Sequence, residues 1–301
     1  MSSSIPNLFI IGAPKAGTTA LAHNLAQHKE VFISDKKEPR FFDAHTFYDN
    51  KEDYPIKNLD EYLSLYDNEI SRRVIYRMDA SVFNMYSEKS IKEILKISPD
   101  AKFIIMLREP VSASLSMHRQ RLTYIDPKMR EMSDDFMTCW RLLEKRRAGE
   151  GYPKGCRNRF LFRYDLIYKY ELYLPTLIEM IEKDHLFIGF YDEFKVNPEV
   201  FYKKVFKFLG INTVEIENKK INESVILKNS VFLKIINNFA TSTVKIRKRI
   251  GLSGGKMTRI RKVIFHTFSI KPVSMQVDNE VDRFFLNTNL YIEQVKRDFR
   301  C

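Results

Sequence analysis

Leu8-Phe9-Ile10-Ile11-Gly12-Ala13-Pro14-Lys15-Ala16-Gly17-Thr18-Thr19 runs directly into Ala20-Leu21-Ala22-His23-Asn24-Leu25. The first four residues are fully apolar, the pattern of a buried strand in a parallel sheet. Gly12 to Gly17 reads as a turn with Pro14 inside it. From Thr18 to His28, Leu21 and Leu25 fall four apart with Ala22 and Ala26 beside them, which predicts a helix. A strand, a glycine-bounded loop and a helix start gather backbone N–H groups around one point, and the helix dipole favours an anion there. Thr18 and Thr19 add hydroxyl donors. The bland alternative is a tight strand-to-helix turn that holds no ligand.

The loop departs from the nucleoside triphosphatase pattern GxxxxGK[ST]. Thr18 follows the second glycine, and the loop's Lys stands at position 15. No convincing strand ends in a metal-binding Asp; the second obvious strand, Phe103 to Leu107, runs into Arg108-Glu109-Pro110. Lys and Arg, in place of a metal, are expected to meet the ligand's charge.

The strand–helix unit recurs outward from the loop. Pro110 suits a first helical position. Leu186 to Phe190 is a further apolar run, and Asn197-Pro198 starts a helix that carries Phe201, Val205, Phe208 and Leu209 and stops at Gly210. Val74 to Met78 is a weaker strand candidate. Residues 133–148 and 165–183 read as helices, and 277–299 as a terminal helix with Val281, Phe284 and Phe285 on one side. Strands alternating with helices predict an α/β fold with a central, mainly parallel sheet.

Composition agrees with a globular domain: 301 residues, 44% hydrophobic and 29% charged, with 23 Phe and 15 Tyr to build a core. Cys139, Cys156 and Cys301 are too few and too scattered for a disulfide framework or a Cys-based zinc site. The net charge is +12, and residues 219–262 carry twelve Lys/Arg against Glu223 alone. Basic character therefore belongs to one segment. No apolar run approaches a membrane span, and no leader precedes the loop, so the expected location is cytoplasmic.

Three ordered motifs together resemble one family, the sulfotransferases that use 3′-phosphoadenosine 5′-phosphosulfate (PAPS). Gly12 to Thr19 resembles their 5′-phosphosulfate loop. Lys37-Glu38-Pro39-Arg40-Phe41-Phe42-Asp43 resembles a segment of carbohydrate sulfotransferases of the heparan sulfate type. Arg108-Glu109-Pro110, with Ser116 eight residues after Arg108, resembles the 3′-phosphate motif. The resemblance covers about residues 7–215. It implies a P-loop-like, three-layer fold, PAPS as sulfuryl donor, the bisphosphate PAP as product, and no metal.

The resemblance also implies residue roles. Lys15 would neutralise the leaving phosphate oxygen, and Ala16, Gly17, Thr18 and Thr19 would hold the same group. Arg108 and Ser116 would hold the 3′-phosphate. Glu38 is the candidate general base, kept ionised by Lys37. His45 and His118 are second-line candidates; Phe41 and Phe42 read as core or cleft wall. Departures are visible. Ala113 stands where many members carry a second Arg, and Asp79-Ala80-Ser81 stands where heparan-type relatives carry Glu-Lys-Thr.

The chain is expected to form a single sulfotransferase domain over 1–301. Its basic segment, 216–265, would cover the nucleotide or acceptor cleft, with Lys256 in Ser253-Gly254-Gly255-Lys256 as a further nucleotide contact. A carbohydrate or anionic glycan acceptor is expected, and nucleic acid is not. Peripheral contact with an anionic membrane surface stays open, as do lipid, small-molecule and tyrosine acceptors. The rival classes are a metal-dependent P-loop kinase or NTPase, and a non-enzymatic anion-binding protein.

Overall fold

Five parallel strands form the sheet. In chain order they are β1 (Leu8–Gly12), β2 (Val31–Ile33), β3 (Tyr76–Asp79), β4 (Lys102–Leu107) and β5 (Leu186–Phe190); across the sheet the order is β2-β3-β1-β4-β5. Every residue of β1 and β5 is buried. Their unbroken apolar sequences reflect a sheet covered by helices on both faces, a P-loop-like α/β architecture. The computed structural model describes residues 5–67, 74–124, 126–217, 226–227, 269–270, 275 and 277–299. Most of the basic segment, Lys256 included, lies outside the described residues.

Local chemistry explains the helices. The helix α1 (Thr18–Leu25) follows the glycine loop, and the short α2 (Ala44–Phe47) follows Asp43. Asn58 caps α3 (Leu59–Ser64) by accepting from the Glu61 N–H, and Ser87 caps α4 (Glu88–Ile97) by accepting from the Ser90 N–H. The helix α5 (Pro110–Leu122) begins on Pro110, and Asp135 caps α6 (Phe136–Arg147).

Residues 165–183 do not make the single helix expected of them. They break into α7 (Tyr164–Ile167), a 3₁₀ turn at Tyr170–Leu172 and α8 (Leu174–Met180). Pro175 sits in the first turn of α8 and lacks the N–H that would carry a helix through from the residues before it. Beyond β5 come α9 (Tyr191–Val196) and α10 (Pro198–Leu209); Asn197 caps α10, and Gly210 ends it with a φ of 68°. A two-residue antiparallel pair, β6 (Ile226–Leu227) with β7 (Ser269–Ile270), lies in the basic region and just after it. The expected terminal helix is two helices, α11 (Asn279–Phe284) and α12 (Leu286–Asp298), parted at Phe285. β3 begins two residues later than the weak strand candidate.

The described residues group into two compact units. One holds the described parts of 1–114, 157–221 and 279–301, including the whole five-stranded sheet; the other holds those of 115–156 and 222–278. In the sheet unit the chain leaves central β1 for β2, returns to β3, then crosses to β4. The reversal lies between β1 and β4. In open α/β sheets ligands sit beyond the carboxyl ends of the strands at such a point.

Candidate active site

The glycine loop emerges at this reversal. Its first residue is pinned to the neighbouring strand, the Ala13 N–H donating to the Met106 carbonyl at 2.7 Å. Lys15 and Gly17 both adopt left-handed backbone, with φ of 66° and 82°. Left-handed residues in such a turn fold consecutive N–H groups into a concave anion nest. The first intrahelical bond of α1 runs from the Leu21 N–H to the Gly17 carbonyl at 3.0 Å. The N–H groups of Thr18, Thr19 and Ala20 precede it, and no side chain caps the helix end. These donors surround a space suited to a phosphate or sulfate.

Arg108 stands one residue past β4 and closes the loop from the side. Its Nη1 donates to the Lys15 carbonyl at 2.9 Å, and the Tyr170 hydroxyl donates to the Arg108 carbonyl at 3.0 Å. The Tyr191 ring lies 4.4 Å from the guanidinium carbon, a cation–π contact that fixes the plane of the fork. Tyr191 also backs the loop; a methyl at Gly17 would meet its ring at 3.0 Å. Sequence reasoning missed Tyr191, because nothing local marks the first residue after β5 as a neighbour of Arg108. The acid beside Arg108 caps a helix: the Glu109 carboxylate accepts from the N–H groups of Val111 at 2.8 Å and Ser112 at 2.6 Å. Ser116 is half-buried two turns into α5, in the part of that helix assigned to the second unit.

Glu38 lies over the carboxyl end of β3, where the Ala80 N–H donates to the Lys37 carbonyl at 3.3 Å. β3, β1 and β4 are adjacent, so Glu38, the loop and Arg108 follow three neighbouring strand ends. The Lys37 Nζ donates to Glu38 Oε1 at 2.7 Å, and the Arg40 Nη2 donates to Glu38 Oε2. Burial pushes the Glu38 carboxyl up, but the Arg40 and Lys37 charges together outweigh it and hold the group below its ordinary value. It is a carboxylate at neutral pH, as the sequence reading requires of a base.

The sequence profile of the sulfotransferase family matches residues 6–150. Residues 6–150 are a sulfotransferase-family domain. A sulfotransferase of known structure from Alicyclobacillus acidocaldarius superposes with a TM-score of 0.59 at 25% identity, over 82% of this chain and 96% of that one. The membrane-associated sulfotransferase kil1 of Dictyostelium discoideum is 27% identical over 40% of this chain and 24% of its own length. The mouse bifunctional heparan sulfate N-deacetylase/N-sulfotransferase 3 is 24% identical over 69% of this chain and 22% of its own length. The chain thus spans about a quarter of those two relatives.

The sulfotransferase match contains the loop, Glu38, Arg108 and Ser116; Tyr191 lies beyond it. Around Glu38 the domain carries a network that sequence reasoning did not assemble. Arg40 also donates through Nη1 to Asp43 Oδ2 at 3.0 Å, and its backbone N–H donates to Ser81 Oγ at 3.1 Å. Its guanidinium lies 3.8 Å from the Phe47 ring centre and 4.9 Å from that of Phe83. Asp79, of the departing Asp-Ala-Ser segment, is buried and accepts from the Tyr62 hydroxyl at 2.7 Å and the Ser81 N–H at 2.8 Å. Phe42 is buried core, and Phe41 stacks on Tyr62 at 4.8 Å.

The second-line histidines are occupied elsewhere. His45 Nε2 sits 2.8 Å from Ser87 Oγ. In the second unit His118 is fully buried, edge-on to Phe136, with Nε2 3.2 Å from the Asp134 carbonyl. Burial lowers its pKa, so it is a neutral core histidine. The fold also brings ligand atoms of His118, Glu131 and Cys139 within 4.8 Å of one another, which sequence spacing did not suggest. Arg146 meets the Glu131 charge there, both side chains being fully buried.

Proposed function

We propose that the chain transfers a sulfuryl group from PAPS to a hydroxyl or amine of a carbohydrate or other anionic glycan. One observation carries the reading: the uncapped helix start beyond β1 is closed by Arg108, which bonds the loop carbonyl of Lys15. An N–H cradle and a cationic fork at one strand-order reversal suit a ligand with several phosphate-like groups. Gly17 packs closely on Tyr191, where an added methyl would lie 3.0 Å from the ring, so the loop is held against the side chain that stacks on Arg108.

When bound, the donor supplies the sulfuryl group, which joins the acceptor oxygen or nitrogen as the bond from sulfur to the 5′-phosphate oxygen breaks. Lys15, Ala16, Gly17, Thr18 and Thr19 hold the phosphosulfate, and the Lys15 ammonium neutralises charge arising on the departing phosphate oxygen. Arg108 and Ser116 hold the 3′-phosphate, with Lys256 as a further nucleotide contact. The Glu38 carboxylate takes the acceptor's proton as the new bond forms. No residue role here calls for a metal. The glycan acceptor is supported by likeness to the heparan sulfate enzyme named above and by the basic segment, which attracts polyanions over long range. Ala80, where heparan-type enzymes carry Lys, points to an acceptor unlike heparan in detail.

Calorimetry with PAP, 5′-AMP and ATP, paired with transfer assays, tests the reading. PAP should bind at least tenfold tighter than 5′-AMP, and Arg108→Ala should erase that preference. Glu38→Gln should keep PAP affinity within about twofold and lose most transfer. Equal affinity for PAP and 5′-AMP, or full transfer by Glu38→Gln, would overturn it.

A further inference from the structure

Arg40 is one guanidinium shared by two carboxylates. Nη2 bonds Glu38 Oε2 and Nη1 bonds Asp43 Oδ2 at 3.0 Å, while the guanidinium packs against Phe47 and Phe83, whose rings meet each other edge-to-face. The fork cannot follow one acid without leaving the other. The two acids differ in surroundings: the Glu38 side chain is 28% exposed and Asp43 0%. Asp43 Oδ1 is buried. We propose that Asp43 is a positioning residue that sets the basicity of Glu38 by competing with it for Arg40. The proposal rests on Glu38 being the base.

The groups facing Asp43 give the sign. Burial opposes its ionised form most and pushes the carboxyl up to about 7; Asp79 at the end of β3 and Glu38 oppose it as well, while Arg40 and the Phe83 backbone N–H favour it. Tyr62 on α3 and the Ser81 N–H hold Asp79 in place, and Lys37 supports Glu38 from the other side. With Asp43 protonated, Arg40 belongs to Glu38 and makes it a weak base. With Asp43 ionised, the guanidinium is divided, a negative charge is added nearby, and Glu38 grips a proton more strongly. Transfer should therefore climb by a further severalfold step near pH 7, above the limb set by Glu38 itself.

The test reads the carboxyls directly, in protein carrying ¹³C at Asp and Glu side-chain carboxyls and without donor. Glu38→Gln removes the competing charge and leaves Arg40 to Asp43, so it should lower the Asp43 midpoint. Glu38 itself titrates below Asp43, with Asp43 already protonated. Asp43→Asn should therefore abolish the second, smaller shift of the Glu38 carboxyl signal near pH 7. An Asp43 midpoint unmoved by Glu38→Gln, or a Glu38 signal with no shift near pH 7 in the parent protein, overturns the proposal; Glu38→Gln lies at a partly exposed site and guards against a folding defect in Asp43→Asn. Transfer from PAPS to chemically desulfated heparin, which offers amines and hydroxyls, is then followed against pH. Loss of the step near pH 7 in Asp43→Asn is expected. Coupled midpoints with an unchanged pH profile would leave the linkage standing and overturn Glu38 as base.

Discussion

A methyl group added at residue 12 would lie 2.0 Å from the Met85 sulfur. That glycine is needed for space, whereas Gly17 is needed for its φ of 82° as well. We expect Gly12→Ala to destabilise the protein by about 1–3 kcal/mol, the usual cost of overpacking, with Met85→Ala recovering part of it. Thermal melts of the four members of the cycle check this; strictly additive effects would contradict the contact. The loop residues and Glu38 were legible because their signal is contiguous: two glycines five apart, and a Lys-Glu-Pro run. Tyr191 and the division of Arg40 were not, since the first depends on packing between distant strand ends. Arg40 and Asp43 stand three apart in an irregular segment, where spacing alone does not decide which side chains meet.

Strands and caps were the elements best read from sequence. β1 and β5, and β4 after its first residue Lys102, are continuous apolar runs, and Asn197-Pro198 and Gly210 bracket α10 as their chemistry requires. The Asn197 side chain accepts from the Val200 N–H at 3.1 Å. Asn197→Ala should cost roughly 1 kcal/mol and lower the melting temperature by a few degrees while PAP affinity stays unchanged. A fall in affinity would mean that α10 shapes the site. Helical spacing failed where it ran over a breaker, at Pro175, and where the backbone leaves helical geometry, at Phe285. β2 escaped notice because three residues show no usable alternation.

Across the whole molecule, two charge effects can be measured. Asp43 and Asp79 are both raised by burial. A carboxyl with a raised native pKa stabilises the fold fully below its unfolded value, and that stabilisation is lost as pH climbs through the native one. For Asp43 the window runs from about 4 to about 7. Asp43→Asn should therefore gain stability relative to the parent, by up to about 4 kcal/mol, between pH 4 and pH 8. Denaturant midpoints at the two pH values check this, and a constant difference would refute the shift. Separately, replacing Lys245, Arg247, Lys248 and Arg249 with Gln should lower the salt needed to elute the protein from heparin; unchanged elution would remove the basic segment from glycan attraction. The sheet's connectivity carries a last consequence, for biosynthesis. Leu8 pairs with Met78 on one side and Lys102 on the other, so a greasy first strand leaves the ribosome with both neighbours still unmade. At about 5–20 residues per second, it waits several seconds for them. The nascent chain should therefore draw on chaperones early, and slower, cooler expression should raise the yield of folded protein.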